Sequence, residues 1–277
     1  MEENKKLVQV RSIFGAILLF LSVFLLQIVA AFIGMLICIG MRIEVDPQNK
    51  TYIIFLSMLS ALLSLGWCAY WYRRFRCHSE DFSYRKAFGG ARIPALIGLG
   101  MGGCVCISIF LTLLQQIFPS WFESYQDTMS NLTQSSTVLA MLYALLIGPL
   151  SEEVIFRGAI MNQLSGGFSF WLTNFIQAIF FGIYHMNLVQ GLYAFALGLV
   201  LGLVWLMTET IAATIAVHIL FNSTNVILQQ IFPEDKPISV LVISIIFLLS
   251  VLFFSAGLWY TIYDCHIKNR NDVEPLG

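Results

Sequence analysis

Charge is what this chain has least of. Only 15 basic and 16 acidic residues occur among 277, or 11%, where ordinary globular domains carry roughly 25%. They cluster between apolar runs, so a water-exposed surface cannot be covered with them and a soluble domain is excluded. The net charge of −1 and the absence of a basic stripe beyond short loops exclude a nucleic-acid binder. Cysteine is also scarce, six in all and with no CxxC pair. Cys38, Cys68, Cys104 and Cys106 fall inside apolar runs, where they read as small hydrophobes, and Cys77 and Cys265 sit at membrane edges. This excludes a disulfide-stapled secreted domain. No internal repeat or low-complexity segment is visible.

What is present is apolar: 58% hydrophobic residues and a mean hydropathy of +0.80. Crossing a hydrocarbon core of about 30 Å takes about 20 apolar residues. Eight runs meet that need, at 12–41, 51–72, 94–118, 137–164, 169–186, 188–207, 210–231 and 239–262. Breaks fall at Asp46-Pro47-Gln48-Asn49, at 73–93, at 119–136 and at Phe232-Pro233-Glu234-Asp235-Lys236-Pro237. Ser165-Gly166-Gly167 and Asn187 mark tight hairpins. The expected fold is all-α: a polytopic membrane protein, an eight-transmembrane-helix bundle forming one membrane domain over 1–277.

Short cytoplasmic loops hold the excess of Lys and Arg. With both termini inside, cytoplasmic segments carry Lys5, Lys6, Arg11, Arg73, Arg74, Arg76, Arg85, Lys86, Arg92, Lys268 and Arg270, against Arg42, Lys50 and Lys236 outside. An integral membrane protein with both termini cytoplasmic is expected. The first run ends in Met41-Arg42-Ile43-Glu44 and not in a small-residue cleavage site, so it reads as a retained helix, tilted because of its length.

Ionisable residues at membrane depth are costly and mark functional sites. Here they are Glu152, Glu153 and Arg157 in the fourth run, His185 at the end of the fifth, and His218 in the seventh, with Asn222 one turn later. Glu209 lies in a short turn within reach of water, and His78 and His266 fall in cytoplasmic segments. Residues four apart share a helix face, while adjacent ones point about 100° apart. Glu153 therefore meets Arg157 as its counter-ion, which is a structural role. Glu152 points elsewhere, and a carboxylate away from a cation in apolar surroundings takes up a proton more readily. It is the better general base or acid. Gly148-Pro149 should loosen the helix upstream, since Pro149 cannot donate to the backbone ladder, and could admit water.

A lone histidine on an apolar helix is usually a satisfied core residue. His218 and Asn222, however, share one face and offer an imidazole and an amide to the same point. With His185 and Glu152 they supply what is needed to take a proton from water, hold it, and hydrogen-bond the oxyanion of a tetrahedral intermediate. Gly182, one turn before His185, gives room for close helix approach.

The order Glu-Glu-x-x-x-Arg (Glu152 to Arg157), Phe-x-x-x-His (Phe181 to His185) and His-x-x-x-Asn (His218 to Asn222) resembles the signature of the CPBP family, the CAAX proteases and bacteriocin-processing or Abi proteins. The resemblance covers the fourth to seventh runs, a catalytic core at 137–231, and no motif position departs from it. The first three runs carry no signature and could vary freely. The resemblance implies an eight-helix bundle with a polar cavity open to the cytoplasm, and intramembrane endoproteolysis of a membrane-associated protein or peptide: CAAX-type, bacteriocin or signal-peptide processing, with links to bacteriocin immunity. It implies Glu152 as the base activating water with His185 assisting, His218 and Asn222 as the oxyanion site, and Glu153 with Arg157 in support, with no cofactor.

Other readings stay open. Glu152, His185 and His218 are also a zinc-type set, although His-Glu-x-x-His is absent and Asn222 is a poor zinc ligand. A Glu/His/Arg cluster also suits a proton-coupled transporter, against which no inverted repeat is visible. A non-catalytic scaffold is a third reading, opposed by the complete motif set. Asn49-Lys50-Thr51 and Asn131-Leu132-Thr133 are sequons without meaning in a bacterial chain.

Overall fold

The computed structural model describes residues 2–42, 49–74, 84–134, 138–232 and 239–271. The breaks around Pro47 and Pro233–Pro237, with Arg76, Cys77, His78 and Lys236, lie outside the described residues. Among those described, every regular element is helical. The long helices are α1 (Glu2–Met41), α2 (Lys50–Arg74), α3 (Arg92–Ile117), α4 (Pro119–Gln134), α5 (Val138–Ser165), α6 (Phe170–Tyr184), α7 (Leu188–Thr208), α8 (Ile211–Ile231) and α9 (Val240–Asn271). A single turn of helix, Tyr84–Phe88, precedes α3.

Seven of these helices are long and apolar enough to cross a membrane, and α6 is the shorter apolar one. The polytopic all-α reading holds, and the eight expected runs each contain a helix. Two differences are informative. The polar break at 119–136 contains α4, whose aromatic residues Trp121, Phe122 and Tyr125 supply an apolar face, with Phe122 buried. And two of the crossing helices are not plain α-helix. The backbone widens into π-turns at Gly98–Gly102 in α3 and at Tyr143–Ile147 and Val154–Ile160 in α5. Such turns take in an extra residue and are frequent at functional sites. The first π-turn of α5 closes with the Gly148 N–H bonded to the Tyr143 carbonyl. Pro149, which has no N–H to continue the ladder, follows immediately, so the expected loosening takes the form of a π-turn and the helix runs on.

The chain divides into two compact units, Met1–Ser79 with Glu123–Phe195, and Glu80–Phe122 with Ala196–Gly277. In the first, α1 serves as a ruler for depth. Gly167, in the α5–α6 hairpin, lies against Gln9 and Ser12, and Gly15 lies against Gln163. Farther along, Phe20 stacks on Phe180 at 4.7 Å and Phe24 meets Tyr184 at 6.2 Å. Tyr184 also hydrogen-bonds Gln27. The end of α6 therefore stands beside the middle of α1. At 1.5 Å per residue, Gln27 is about 24 Å from Arg11 and about 22 Å from Arg42 along the helix. A 15-residue helix spans about 22 Å, short of a core about 30 Å thick. The reversal at His185 thus falls within membrane depth.

That reversal is tight. Met186 takes a left-handed φ of 51°, and the two helices leaving it touch backbone to backbone: a Cβ on Gly182 would come within 2.8 Å of the Gly191 carbonyl oxygen. Ser124 accepts a hydrogen bond from Asn187 at 3.2 Å, and Tyr125 meets Tyr193 edge-on at 6.3 Å, so α4 rests on the turn through Ser124 and Tyr125.

In the second unit, α3 packs on α9 and α8 through glycines. A Cβ on Gly98 would meet the Phe253 carbonyl oxygen at 2.6 Å, and one on Gly100 the Val217 carbonyl oxygen at 3.1 Å and Leu220 Cβ at 2.9 Å. Arg92 and Asp264 close α3 onto α9 with a 2.7 Å ion pair.

Because neither backbone at the Gly182–Gly191 contact can give way, Gly182→Val is expected to lower stability by about 1–3 kcal/mol. Gly66→Ala, where a Cβ would meet nothing within 4 Å, is expected to leave it unchanged. Reversible unfolding in mixed detergent micelles measures both.

Candidate active site

The fourth apolar run folds so that its three charges are treated differently. Glu153 and Arg157 are completely buried, and Arg157 Nη1 donates to Glu153 Oε1 at 2.9 Å, the expected i,i+4 ion pair. Burying either charge alone would cost several kcal/mol, and the pairing offsets much of that cost. The guanidinium carbon also lies 4.7 Å from the centroid of the Phe181 ring, a cation–π contact that ties α5 to α6. Glu152 is only half-buried.

Phe181 explains the spacing of its motif. Its ring packs against Phe156 at 4.9 Å and under Arg157, while its carbonyl lies 2.8 Å from His185 Nδ1, one turn later. A carbonyl oxygen can only accept, so Nδ1 carries the proton. In the neutral imidazole Nε2 is then the nitrogen with a lone pair. The ring edge of His185 also meets Phe181 at 4.9 Å and Tyr184 at 5.6 Å. The imidazole is thus held in one tautomer and one orientation by the last turn of α6.

The first unit therefore gathers Glu152, Glu153, Arg157 and His185. His218 and Asn222 belong to the second unit and stand one turn apart on α8, His218 buried and Asn222 half-buried. His218 is flanked by Val217 and Leu220, the residues against which Gly100 packs. The third run, which carries no motif, is for this reason not free to vary: its glycine sets how closely α3 approaches the His218 turn. Among the described residues no group of three His, Cys, Asp or Glu side chains is placed to hold a metal ion.

Two tyrosines on these helices escaped notice in the sequence. Tyr143 and Tyr184 read as ordinary members of apolar runs. A tyrosine whose hydroxyl is carried to membrane depth needs a polar partner there, and Ser57 and Gln27 hydrogen-bond the two.

Comparison with known proteins agrees with the motifs. Residues 134–224 match the family described as Type II CAAX prenyl endopeptidase Rce1-like. YdiL of Bacillus subtilis (strain 168), described as a membrane peptidase, is 31% identical over 91 residues, 33% of this chain and 37% of the relative. MroQ of Staphylococcus aureus (strain USA300), described as a membrane-embedded CAAX protease, is 28% identical over 100 residues, 34% of this chain and 40% of the relative. The chain thus covers well under half of the length of either relative. No solved structure matches it significantly.

Removing one partner of a sealed ion pair leaves a buried charge. Arg157→Met is therefore expected to destabilise the protein by about 3–5 kcal/mol, and the combined Glu153→Gln, Arg157→Met protein to recover part of that loss. Unfolding in mixed micelles of the two variants and the parent gives the comparison.

Proposed function

We propose that this protein is an intramembrane endopeptidase that hydrolyses a peptide bond of a membrane-associated protein or peptide, with Glu152 activating water. One observation carries the reading. Two adjacent glutamates on α5 have opposite surroundings: Glu153 is sealed against Arg157, and Glu152 is half-exposed. A folding device would have sealed both.

In this reaction Glu152 takes a proton from a water molecule as its oxygen attacks the scissile carbonyl carbon. The carbonyl oxygen gains negative charge, and His218 and Asn222 hydrogen-bond it. Nε2 of His185, its lone pair directed by the Nδ1–H bond to Phe181, orients the water or accepts from it. The proton on Glu152 then passes to the departing amine nitrogen as the C–N bond breaks, which restores the carboxylate. What supports grouping these four residues in one reaction is the order of the motifs and the family match over 134–224. Glu153 and Arg157 keep the helix that presents Glu152 in place. The charge pattern of the loops supports cytoplasmic termini. The names of the relatives support a membrane-associated substrate, CAAX-type among the possibilities, with bacteriocin and signal peptides as the other classes.

Two internally quenched peptides, alike except that one bears a prenyl group on its cysteine, test the reading with purified protein. Hydrolysis of at least one is expected, and Glu152→Gln should lower it at least about 100-fold, the scale of general-base catalysis. Activity is expected to survive exhaustive chelation; loss restored by zinc would instead establish the metal-dependent version built on Glu152, His185 and His218.

A further inference from the structure

We propose that Asn187 is a positioning residue for His185: by capping α7 at the reversal, it holds the last turn of α6 on which the imidazole is fixed. The proposal rests on the reading of His185 as a member of the catalytic group. His185 and Asn187 lie on either side of Met186, whose φ of 51° is in the left-handed region. That conformation is usual for a glycine after a helix and unfavourable for a methionine, whose Cβ crowds the following carbonyl. It persists only where the surroundings determine it. Met186 gives little hold of its own, being 79% exposed.

The backbone groups of the reversal add a second demand. Irregular backbone at membrane depth has no water to bond, so each N–H and C=O needs a partner within the protein. The His185 N–H donates to the Gly182 carbonyl at 3.3 Å and the Met186 N–H to the Ile183 carbonyl at 3.0 Å, which closes α6. At the start of α7 the first N–H groups have no carbonyl of their own helix behind them. Asn187 supplies the acceptor: its Oδ1 accepts from the Gln190 N–H at 3.0 Å, and its carbonyl accepts from the Gly191 N–H at 2.7 Å. Asn187-Leu188-Val189-Gln190 has the spacing of a capping box, and asparagine is among the best N-caps. The Nδ2 of the same amide donates to Ser124 Oγ at 3.2 Å, which sets the end of the amide that faces Gln190.

Cap and imidazole are joined through two residues of backbone. His185 ends α6 at φ −75° and ψ −12°, and its Nδ1 donates to the Phe181 carbonyl at 2.8 Å. Without the cap the first turn of α7 frays, and the left-handed Met186 is the point at which the strain is released. His185, next to it, then leaves the Phe181 carbonyl, and the imidazole is free to take either tautomer. The lone pair on Nε2 is no longer directed at one place. Asn187 therefore acts on the reaction through His185, without touching substrate or water.

The test compares Asn187→Ala, which removes the cap, with Asn187→Ser, whose hydroxyl is also a good cap but is too short to reach Ser124. Nuclear magnetic resonance of the full chain in detergent micelles, with isotopically labelled histidine, reads the tautomer of His185 without any substrate at about pH 8, where an ordinary imidazole is neutral. His185→Gln identifies the signals. In the unsubstituted protein Nδ1 is expected to give the resonance of a protonated ring nitrogen and Nε2 that of an unprotonated one. In Asn187→Ala both are expected to move toward the average of the two tautomers, and in Asn187→Ser to keep their places. A loss of stability alone would lower the folded fraction and leave the signals of the folded protein where they were. With the quenched peptides, kcat is expected to fall about tenfold in Asn187→Ala at unchanged KM, as for a misplaced reacting group, and to recover in Asn187→Ser. Resonances unmoved in Asn187→Ala overturn the proposal, as do resonances that move alike in both variants or that move with kcat unchanged. Should the unsubstituted protein cleave neither peptide, the proteolytic reading fails by itself, and the resonances still decide whether Asn187 fixes the imidazole.

Discussion

The buried ion pair between Glu153 and Arg157 is the constraint on which the rest of the site depends. A guanidinium at membrane depth has to be neutralised nearby, and Glu153 does this from one turn away at 2.9 Å. The pair fixes how α5 faces its neighbours, because Arg157 also needs a surface on which to lie, and the Phe181 ring provides it. Phe181 in turn sets the His185 imidazole through its carbonyl. One electrostatic requirement is thus passed through an aromatic ring to the tautomer of a histidine on another helix. The same pair leaves the adjacent glutamate to other work, since the Glu153 carboxylate meets the guanidinium's main demand.

Depth gives that arrangement its chemical force. The turn after α6 stands beside the middle of α1, far from both of the helix's basic flanks. Hydrogen bonds and charges in such low-dielectric surroundings act more strongly than in water, which favours the stabilisation of a developing oxyanion. Under the proposed reaction the same surroundings would constrain a substrate: a peptide carbonyl inside a membrane helix is already bonded within that helix, so a segment to be cut would have to present locally extended backbone. Ends of membrane segments and lipid-anchored tails meet that condition more easily than the centre of a helix.

Much of this was legible in the sequence, and the rest was hidden for identifiable reasons. The ion pair followed from the four-residue spacing of Glu153 and Arg157, and the more open surroundings of Glu152 from its neighbour's having taken the arginine. Gly182 was legible as a close-approach position because small residues do this between membrane helices. The π-turns were not legible, since reading faces at a uniform 100° per residue assumes plain α-helix throughout. Tyr184 was hidden for another reason: beside Phe180 and Phe181 it reads as one more aromatic packing residue, and only its contact with Gln27 shows that its hydroxyl is in use. The first three runs hold no motif, and the packing of Gly100 against the turn of α8 that carries His218 was not legible, because a supporting residue has no signature without the residue it supports.

The central claim, that Glu152 and not its neighbour performs hydrolysis, is tested most directly by comparing membrane peptides from cells carrying the unsubstituted protein, Glu152→Gln, or the doubly substituted Glu153→Gln, Arg157→Met protein at matched abundance. The account predicts a set of substrates that accumulates uncut in Glu152→Gln and is still processed, though more slowly, in the double variant. Peptide profiles identical between the unsubstituted protein and Glu152→Gln would contradict it.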